Sequence, residues 1–260
     1  LAEHYGDPSG WLQGDEWDTV MNYDAFMEPI TWFLTGVEKH SDEFRGDLLG
    51  NPDAFTGALR HHMSRFNQNS LEIAMNELSN HDHSRFLTRT NRRVGRIHTM
   101  GPQAANENIN KGVFREAVVF QMTWPGAPTI YYGNEAGLCG WTDPDNRRTY
   151  PWGNEDQELI NFVSELSRVR KSIPNMKDGR TYFVINDGYT IDERVVAFTR
   201  QGNPDYIFFI NRSADEVKIS DVSQKLFRFR NFKQYNGSYD NDCVTLPPYD
   251  YAIVEAEFVG

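Results

Sequence analysis

The chain has 260 residues, enough for one large domain or for a medium and a small one. Its formal net charge of -11 argues against the basic stripe that a nucleic-acid partner requires. Its apolar runs stay well short of the ~18 residues of a membrane-spanning helix. Cys139 and Cys243 are too few and too far apart for a disulfide framework or a thiolate metal cluster. Both are expected as free thiols, and they leave the redox compartment open. The opening Leu-Ala-Glu-His-Tyr shows no initiator Met and no signal-peptide pattern. The start is therefore expected to be internal to something longer, and cytoplasmic and secreted locations both stay open.

In chain order, Asp18–Tyr23 is predicted as a short strand and Ala25–Val37 as the helix after it. Residues 38–49 are polar and read as loop or a short helix. Asn51-Pro52-Asp53 opens a second helix with Pro52 in its first turn. Glu72–Ser79 is predicted as a strand that runs into His81-Asp82. Ala104–Met122 carries Ile109, Val113, Ala117 and Phe120 at helical spacing, and Trp124-Pro125-Gly126 stops it. Ala127–Tyr132 reads as a strand ending in Gly133, followed by a polar loop over 134–154. Glu155–Ile173 is a helix with Leu159, Phe162, Val163, Leu166 and Val169 on one face. This alternation of strand and helix signals a parallel sheet built from βα units.

After Pro174 the period changes to two. Thr181–Ile185, Val195–Thr199, Tyr206–Ile210 and Tyr251–Glu255 are strand-like, with Gly, Asn, Asp and Pro between them. A small antiparallel all-β domain is expected over 176–260, after an α/β domain over 1–175. The aromatic run Phe227–Phe232 is expected in the core of the second domain, and the His61-His62 pair on a helix surface.

Each predicted strand of the first domain ends in hydrogen-bonding residues. These are Asn22-Tyr23, Asn80-His81-Asp82 and Gly133-Asn134-Glu135. In βα barrels the site lies at the C-terminal strand ends. These clusters and Glu3 should therefore converge. Glu3-His4-Tyr5-Gly6-Asp7-Pro8-Ser9-Gly10-Trp11-Leu12 resembles the loop after the fifth barrel strand of α-amylase-family glycoside hydrolases. The likeness is to the neopullulanase, maltogenic-amylase and cyclomaltodextrinase branch. The run from Gly14 to Tyr23 is similar to that family's entry into its sixth strand. Asn80-His81-Asp82-His83-Ser84-Arg85 resembles the seventh-strand motif, and Pro125–Gly137 the eighth. Asp143-Pro144-Asp145-Asn146-Arg147-Arg148, with Pro151-Trp152, resembles the substrate loop beyond. Any one block is weak evidence, but four in the right order are strong. Alone, Glu3 would read as a solvated carboxylate and His81 as a core histidine.

The resemblance implies the C-terminal half of a (β/α)8 TIM barrel followed by a small antiparallel β-sandwich. Retaining glycosidases use two carboxyl groups roughly 5–5.5 Å apart, one to protonate the leaving oxygen and one to attack the anomeric carbon. The resemblance makes Glu3 the acid/base, which must carry a proton at working pH. It makes Asp82 the third carboxylate, which holds sugar hydroxyls, and His81 a hydrogen-bond partner of the same sugar. Arg85 and Arg147 are expected to orient carboxylates or hydroxyls. Asn22, Tyr23 and Trp11 are further substrate candidates, and Trp11, Tyr23, Trp141 and Trp152 offer rings for stacking or simply pack.

The family's nucleophile is an Asp two residues after an Arg on the fourth strand. The one Arg-x-Asp here, Arg45-Gly46-Asp47, follows the sixth-strand block and is out of order. The expectation is part of a retaining α-glucan hydrolase that cleaves α-1,4 bonds in starch-derived maltodextrins, with α-1,6 bonds left open. The chain carries the acid/base and third carboxylate without the nucleophile. Hydrolysis and transglycosylation stay open. The alternative is a non-catalytic sugar-binding or assembly fragment that needs a separate N-terminal half. The expected partner is an α-glucan oligosaccharide or polysaccharide, with no nucleic acid and no membrane. A half barrel's open edges also point to self-association or pairing with the missing half. Calcium is implied only for the full-length parent, and no ligand is assigned here.

Overall fold

The computed structural model describes residues 1–184, 192–220, 227–233, 237–240 and 243–258. They form two compact units, Leu1–Arg168 and Val169–Gly260.

The first unit is organised by parallel pairing. Ala2 bridges Val20, Met21 bridges Met75, and β1 (Met75–Glu77) pairs with β2 (Ala127–Thr129) from Met75↔Ala127 to Glu77↔Thr129. The main chain confirms the register, with Met21 N donating to Ala2 O at 3.0 Å and Asn22 N to Met75 O at 2.9 Å. Four extended segments thus lie side by side in chain order. Gly126 lets the last two approach. Its φ is +122°, and an added Cβ would stand 2.5 Å from Asn76 Nδ2 and 2.7 Å from Ala74 O.

These segments are shorter than their sequence patterns. Asp18–Tyr23 pairs only at Val20 and Met21, because a π-helical turn opens at Tyr23 and runs to Met27. It leads into α1 (Glu28–Thr35), which closes on Gly36 at φ +73°. Next comes α2 (Pro52–Met63), with Pro52 in the first turn and the Asn51 side chain accepting from Ala54 N. Glu72 ends a short helix, α3 (Gln68–Glu72), rather than starting a strand, since the Asn67 side chain caps that helix at Ser70 N. Two single turns follow, α4 (Phe86–Arg89) and α5 (Ile97–Met100).

The helix expected over Ala104–Met122 is divided. A 3-10 turn spans Gln103–Asn106, and α6 (Lys111–Thr123) begins only after Asn110, whose side chain accepts from Val113 N at 3.2 Å. Asn108 sits at φ 53°, which breaks the run. Ile109 therefore lies outside the helix. The last helix, α7 (Gln157–Ser172), buries Leu159, Phe162, Val163, Leu166 and Val169. The core of this unit includes Phe33 stacked on Phe55 at 4.1 Å, with the Phe120 ring edge-on to Phe55.

The second unit is antiparallel. It contains β3 (Thr181–Phe183), β4 (Val195–Arg200), β5 (Asp205–Asn211), β6 (Val217–Ser220), β7 (Phe227–Lys233), β8 (Ser238–Asp240), β9 (Cys243–Leu246) and β10 (Tyr251–Phe258). One sheet has the order β3-β4-β5-β10-β7 and the other β6-β9-β8. Ala197, Ile207, Phe209, Ala252 and Val254 of the first sheet share one core with Val217, Ile219, Val244 and Leu246 of the second. On β6 the expected alternation holds, with Val217 and Ile219 buried and Lys218 and Ser220 exposed. β4 and β5 are instead buried at every position. The predicted strand residue Ile185 and the side chains of Phe227–Phe232 lie outside the described residues.

Candidate active site

The parallel segments deliver their following residues to one end of the α/β unit. Glu3 follows Ala2, Tyr23 follows the Val20–Met21 bridge, and Asn80-His81-Asp82 lies three residues beyond β1. The Tyr23 hydroxyl donates to Glu3 Oε1 at 3.2 Å. His81 Nε2 stands 3.5 Å from Glu3 Oε1 and 3.5 Å from Asp82 Oδ1. The Glu3 and Asp82 side chains are 43% and 42% exposed, so a ligand has access to both carboxylates.

Asn80 holds this group in place. Its Oδ1 accepts from the main-chain amides of Asp82 and His83, each at 3.0 Å. That is the Asx turn that shapes the loop. Its Nδ2 donates to Tyr23 Oη at 3.1 Å and to Glu77 Oε1 at 2.7 Å. Glu77 is buried, and burial pushes its carboxyl up to about 7, with Glu3 and Asp82 adding to the rise. Burial also raises the Tyr23 hydroxyl, so it stays protonated as a donor. The Tyr23 ring stacks on Tyr5 at 4.3 Å and 4°. Tyr5 Oη and His83 Nε2 share a hydrogen bond of 3.1 Å. Burial, then the nearby Arg89 and His40, push His83 down to about 2, so its ring is neutral.

The loop after β2 clamps the end of β1. Asp143 N and the Thr142 hydroxyl both donate to Asp82 O. Asn146 Nδ2 donates to Asn80 O at 3.0 Å and to His83 O at 2.8 Å.

The structure separates the sequence candidates. Glu3, Tyr23, His81 and Asp82 come together. Arg85 does not join them. It is fully buried, and it donates to Asn146 O at 2.9 Å, Tyr132 O at 2.7 Å and Asn134 Oδ1 at 3.0 Å. Its guanidinium lies over the Tyr131 and Tyr132 rings. It fastens loops and has no open face for a sugar. Asn22 is likewise buried, and its Nδ2 donates to Asn76 Oδ1 at 2.8 Å. Trp141 is buried with Nε1 donating to Gly101 O, so its ring offers no stacking face. Trp11 is partly exposed and stacks on Trp17 at 5.1 Å. Arg147 is exposed and pairs with Asp143 at 2.5 Å. Trp152 is 79% exposed beside Tyr150. His61 is exposed on α2 as expected.

Sequence reasoning missed Glu77 and Asn146. A carboxylate in the middle of a buried strand was the available signal for Glu77. Asn146 gave none beyond its place in the loop motif.

Among the described residues, two groups of side chains each bring three ligand-type atoms within 4.8 Å, Glu3-His81-Asp82 and Glu38-His40-Asp42. Each includes an imidazole, which an oxygen-seeking cation such as calcium does not favour. In the second group, Arg96 binds Asp42 through two nitrogens and holds it below the usual carboxylate range. Glu38 accepts from the His40 amide and pairs with its ring.

Against known families, the model of the α-amylase catalytic domain matches residues 2–233. The chain is 34% identical over 261 aligned positions to an amylopullulanase of Thermoanaerobacterium thermosulfurigenes, covering 92% of this chain and 13% of that protein. It is 35% identical over 181 positions to neopullulanase 2 of Thermoactinomyces vulgaris, covering 69% of this chain and 26% of that protein. Its fold is similar to that of a Nostoc punctiforme debranching enzyme, with a TM-score of 0.71 and 24% identity over 97% of this chain and 49% of the other. The chain therefore spans a minor part of the length of these relatives, and its α/β unit has a TIM-barrel type of fold.

Proposed function

The chain belongs to the α-amylase family of glycoside hydrolases, and from that premise we propose that it carries the acid/base half of a retaining α-glucan hydrolase. Residues 1–175 form the second half of the (β/α)8 barrel and 176–260 the β-sandwich that follows it in sequence. The substrates are starch-derived maltodextrins, cleaved at α-1,4 and also α-1,6 bonds. The names of the relatives, amylopullulanase and neopullulanase, support that range.

One observation carries the reading. Glu3 and the His81-Asp82 pair, far apart in sequence, meet at the C-terminal ends of parallel segments, with His81 Nε2 3.5 Å from an oxygen of each carboxylate. In this reading Glu3 gives its proton to the glycosidic oxygen as the bond breaks. A carboxylate from outside these 260 residues attacks the anomeric carbon, and Glu3 then takes a proton from the incoming water. Tyr23 donates to Glu3 Oε1 and stabilises the carboxylate left after proton transfer. His81 and Asp82 hold the ring hydroxyls of the reacting sugar.

The test is Glu3→Gln in the full-length protein. Turnover of a substrate with a poor leaving group should fall by about 10²–10⁴-fold, with the fold intact. Near-normal turnover refutes the assignment. Asp82→Asn should act in the same direction. The 260-residue polypeptide alone should release no reducing sugar from maltotriose and should pair with a separately supplied N-terminal half. Turnover by a preparation shown by intact mass to hold no longer chain refutes that division.

A further inference from the structure

We propose that Glu77 is a positioning residue that fixes the amide of Asn80 and, through it, aims the Tyr23 hydroxyl at Glu3. The inference rests on the acid/base reading of Glu3 and extends it to a residue with no part in the chemistry.

Asn80 has two donor and two acceptor directions, and all four are occupied. Nδ2 serves Glu77 Oε1 and Tyr23 Oη, and Oδ1 serves the Asp82 and His83 amides. Turning the amide over would set Oδ1 against the Glu77 oxygen and Nδ2 against two main-chain N–H groups. Glu77 therefore selects one orientation. In that orientation Asn80 donates to Tyr23 Oη, so the hydroxyl's own proton must point elsewhere. Glu3 Oε1 at 3.2 Å is the charged acceptor, ahead of the neutral Tyr5 hydroxyl and of Met21 Sδ at 3.4 Å. The chain of bonds runs Glu77, Asn80, Tyr23, Glu3. Its only exposed member is the one that exchanges a proton with the substrate.

Glu77 is 2% exposed, where an uncharged residue would cost less to bury. The charged and titratable groups around it are Glu3, Asp82, Tyr23 and Arg89. Arg89 is fully buried and binds Leu78 O and the Thr31 hydroxyl. Glu3 and Asp82 work against the ionised form of Glu77, and Arg89 works for it.

The experiment compares Glu77→Leu, Glu77→Gln and Glu3→Gln in the full-length protein. Glu77→Leu removes the acceptor, and kcat should fall by roughly tenfold to a hundredfold with KM nearly unchanged. Glu77→Gln keeps an acceptor oxygen and should recover most of that loss. A wild-type kcat in Glu77→Leu beside an inactive Glu3→Gln overturns the proposal and leaves the acid/base reading standing. Equal loss of kcat in both Glu77 variants also overturns it. An active Glu3→Gln removes both. If Glu77→Leu does not fold, Glu77→Asp decides: the shorter side chain draws the acceptor away from Asn80, and a wild-type kcat there overturns the proposal.

Discussion

In the β-rich unit, the buried Asn211 and Arg200 side chains donate to the main chain. Asn211 Nδ2 donates to Asp215 O and Pro247 O, and Arg200 donates to Asn175 O and Met176 O. In the α/β unit several of them bond one another, as in Asn22 with Asn76 and Asn80 with Glu77 and Tyr23. A side chain that bonds main chain satisfies a turn that would otherwise bury unpaired groups. A side chain that bonds another side chain adds little to folding, since a half-satisfied network is costly and an apolar pair would serve. Its yield is orientation, and orientation matters where a proton is to be moved. The difference fits the site proposed at the end of the α/β unit.

Arg85 is the sharpest challenge to that contrast. It lies in the α/β unit, but its bonds to Tyr132 O and Asn146 O are of the β-rich kind. Arg85→Ala strands those acceptors and should lower unfolding free energy by about 3–5 kcal/mol, read as a denaturant midpoint shift. A raised KM with an unshifted midpoint would return Arg85 to the substrate and break the contrast.

Glu77 sharpens it by pH. Its carboxyl titrates at about 7 in the folded protein against an ordinary value of 4.5. A raised value means that the folded state binds the proton more tightly. The contribution is full below about 4.5 and is lost as pH rises through 7. Glu77→Gln should therefore gain on the wild type across that window, by up to about 3 kcal/mol at pH 8. Parallel stability–pH curves would mean that Glu77 ionises normally. Asn211→Ala, in the β-rich unit, should cost about 1–3 kcal/mol of stability and leave KM and kcat unchanged. Lost activity at full stability would remove the distinction from the other side.

Motif order in the sequence was enough to bring Glu3, His81 and Asp82 together, because each follows a strand and parallel strands align their ends. Helices were legible where the apolar face was continuous, as in α7. Boundaries were less legible, because single side chains decide them. Asn110 and Asn67 cap helices where hydrophobic period alone continues or changes type. Arg85, Asn22 and Trp141 misled for one reason. A polar or aromatic residue beside a motif looks the same in sequence whether it faces a ligand or a neighbouring loop. Only burial separates the two, and burial depends on the loop after β2, whose path the sequence does not give. Glu77 was legible in principle as a carboxylate in a buried strand. Its partner, Asn80, three residues on, is visible only in the structure.

Trp11 belongs to neither class of contact, and its effect should be the smallest. Its main chain is already held, with Trp11 N donating to Pro8 O at 3.0 Å and Trp17 N to Trp11 O at 3.1 Å. The ring stacks on Trp17 at 15°, with His4 edge-on at 4.7 Å, and is 39% exposed. One face is therefore already covered, and the loop keeps its shape without the ring. Removing a partly exposed aromatic pair costs about 0.5–1.5 kcal/mol beyond lost area. Trp11→Ala should show a stability loss of that size, with KM for maltotriose unchanged. The opposite pattern, unchanged stability with KM raised about tenfold, would mean that a sugar stacks on the ring, and the substrate surface would then extend from Glu3 along the loop that follows it.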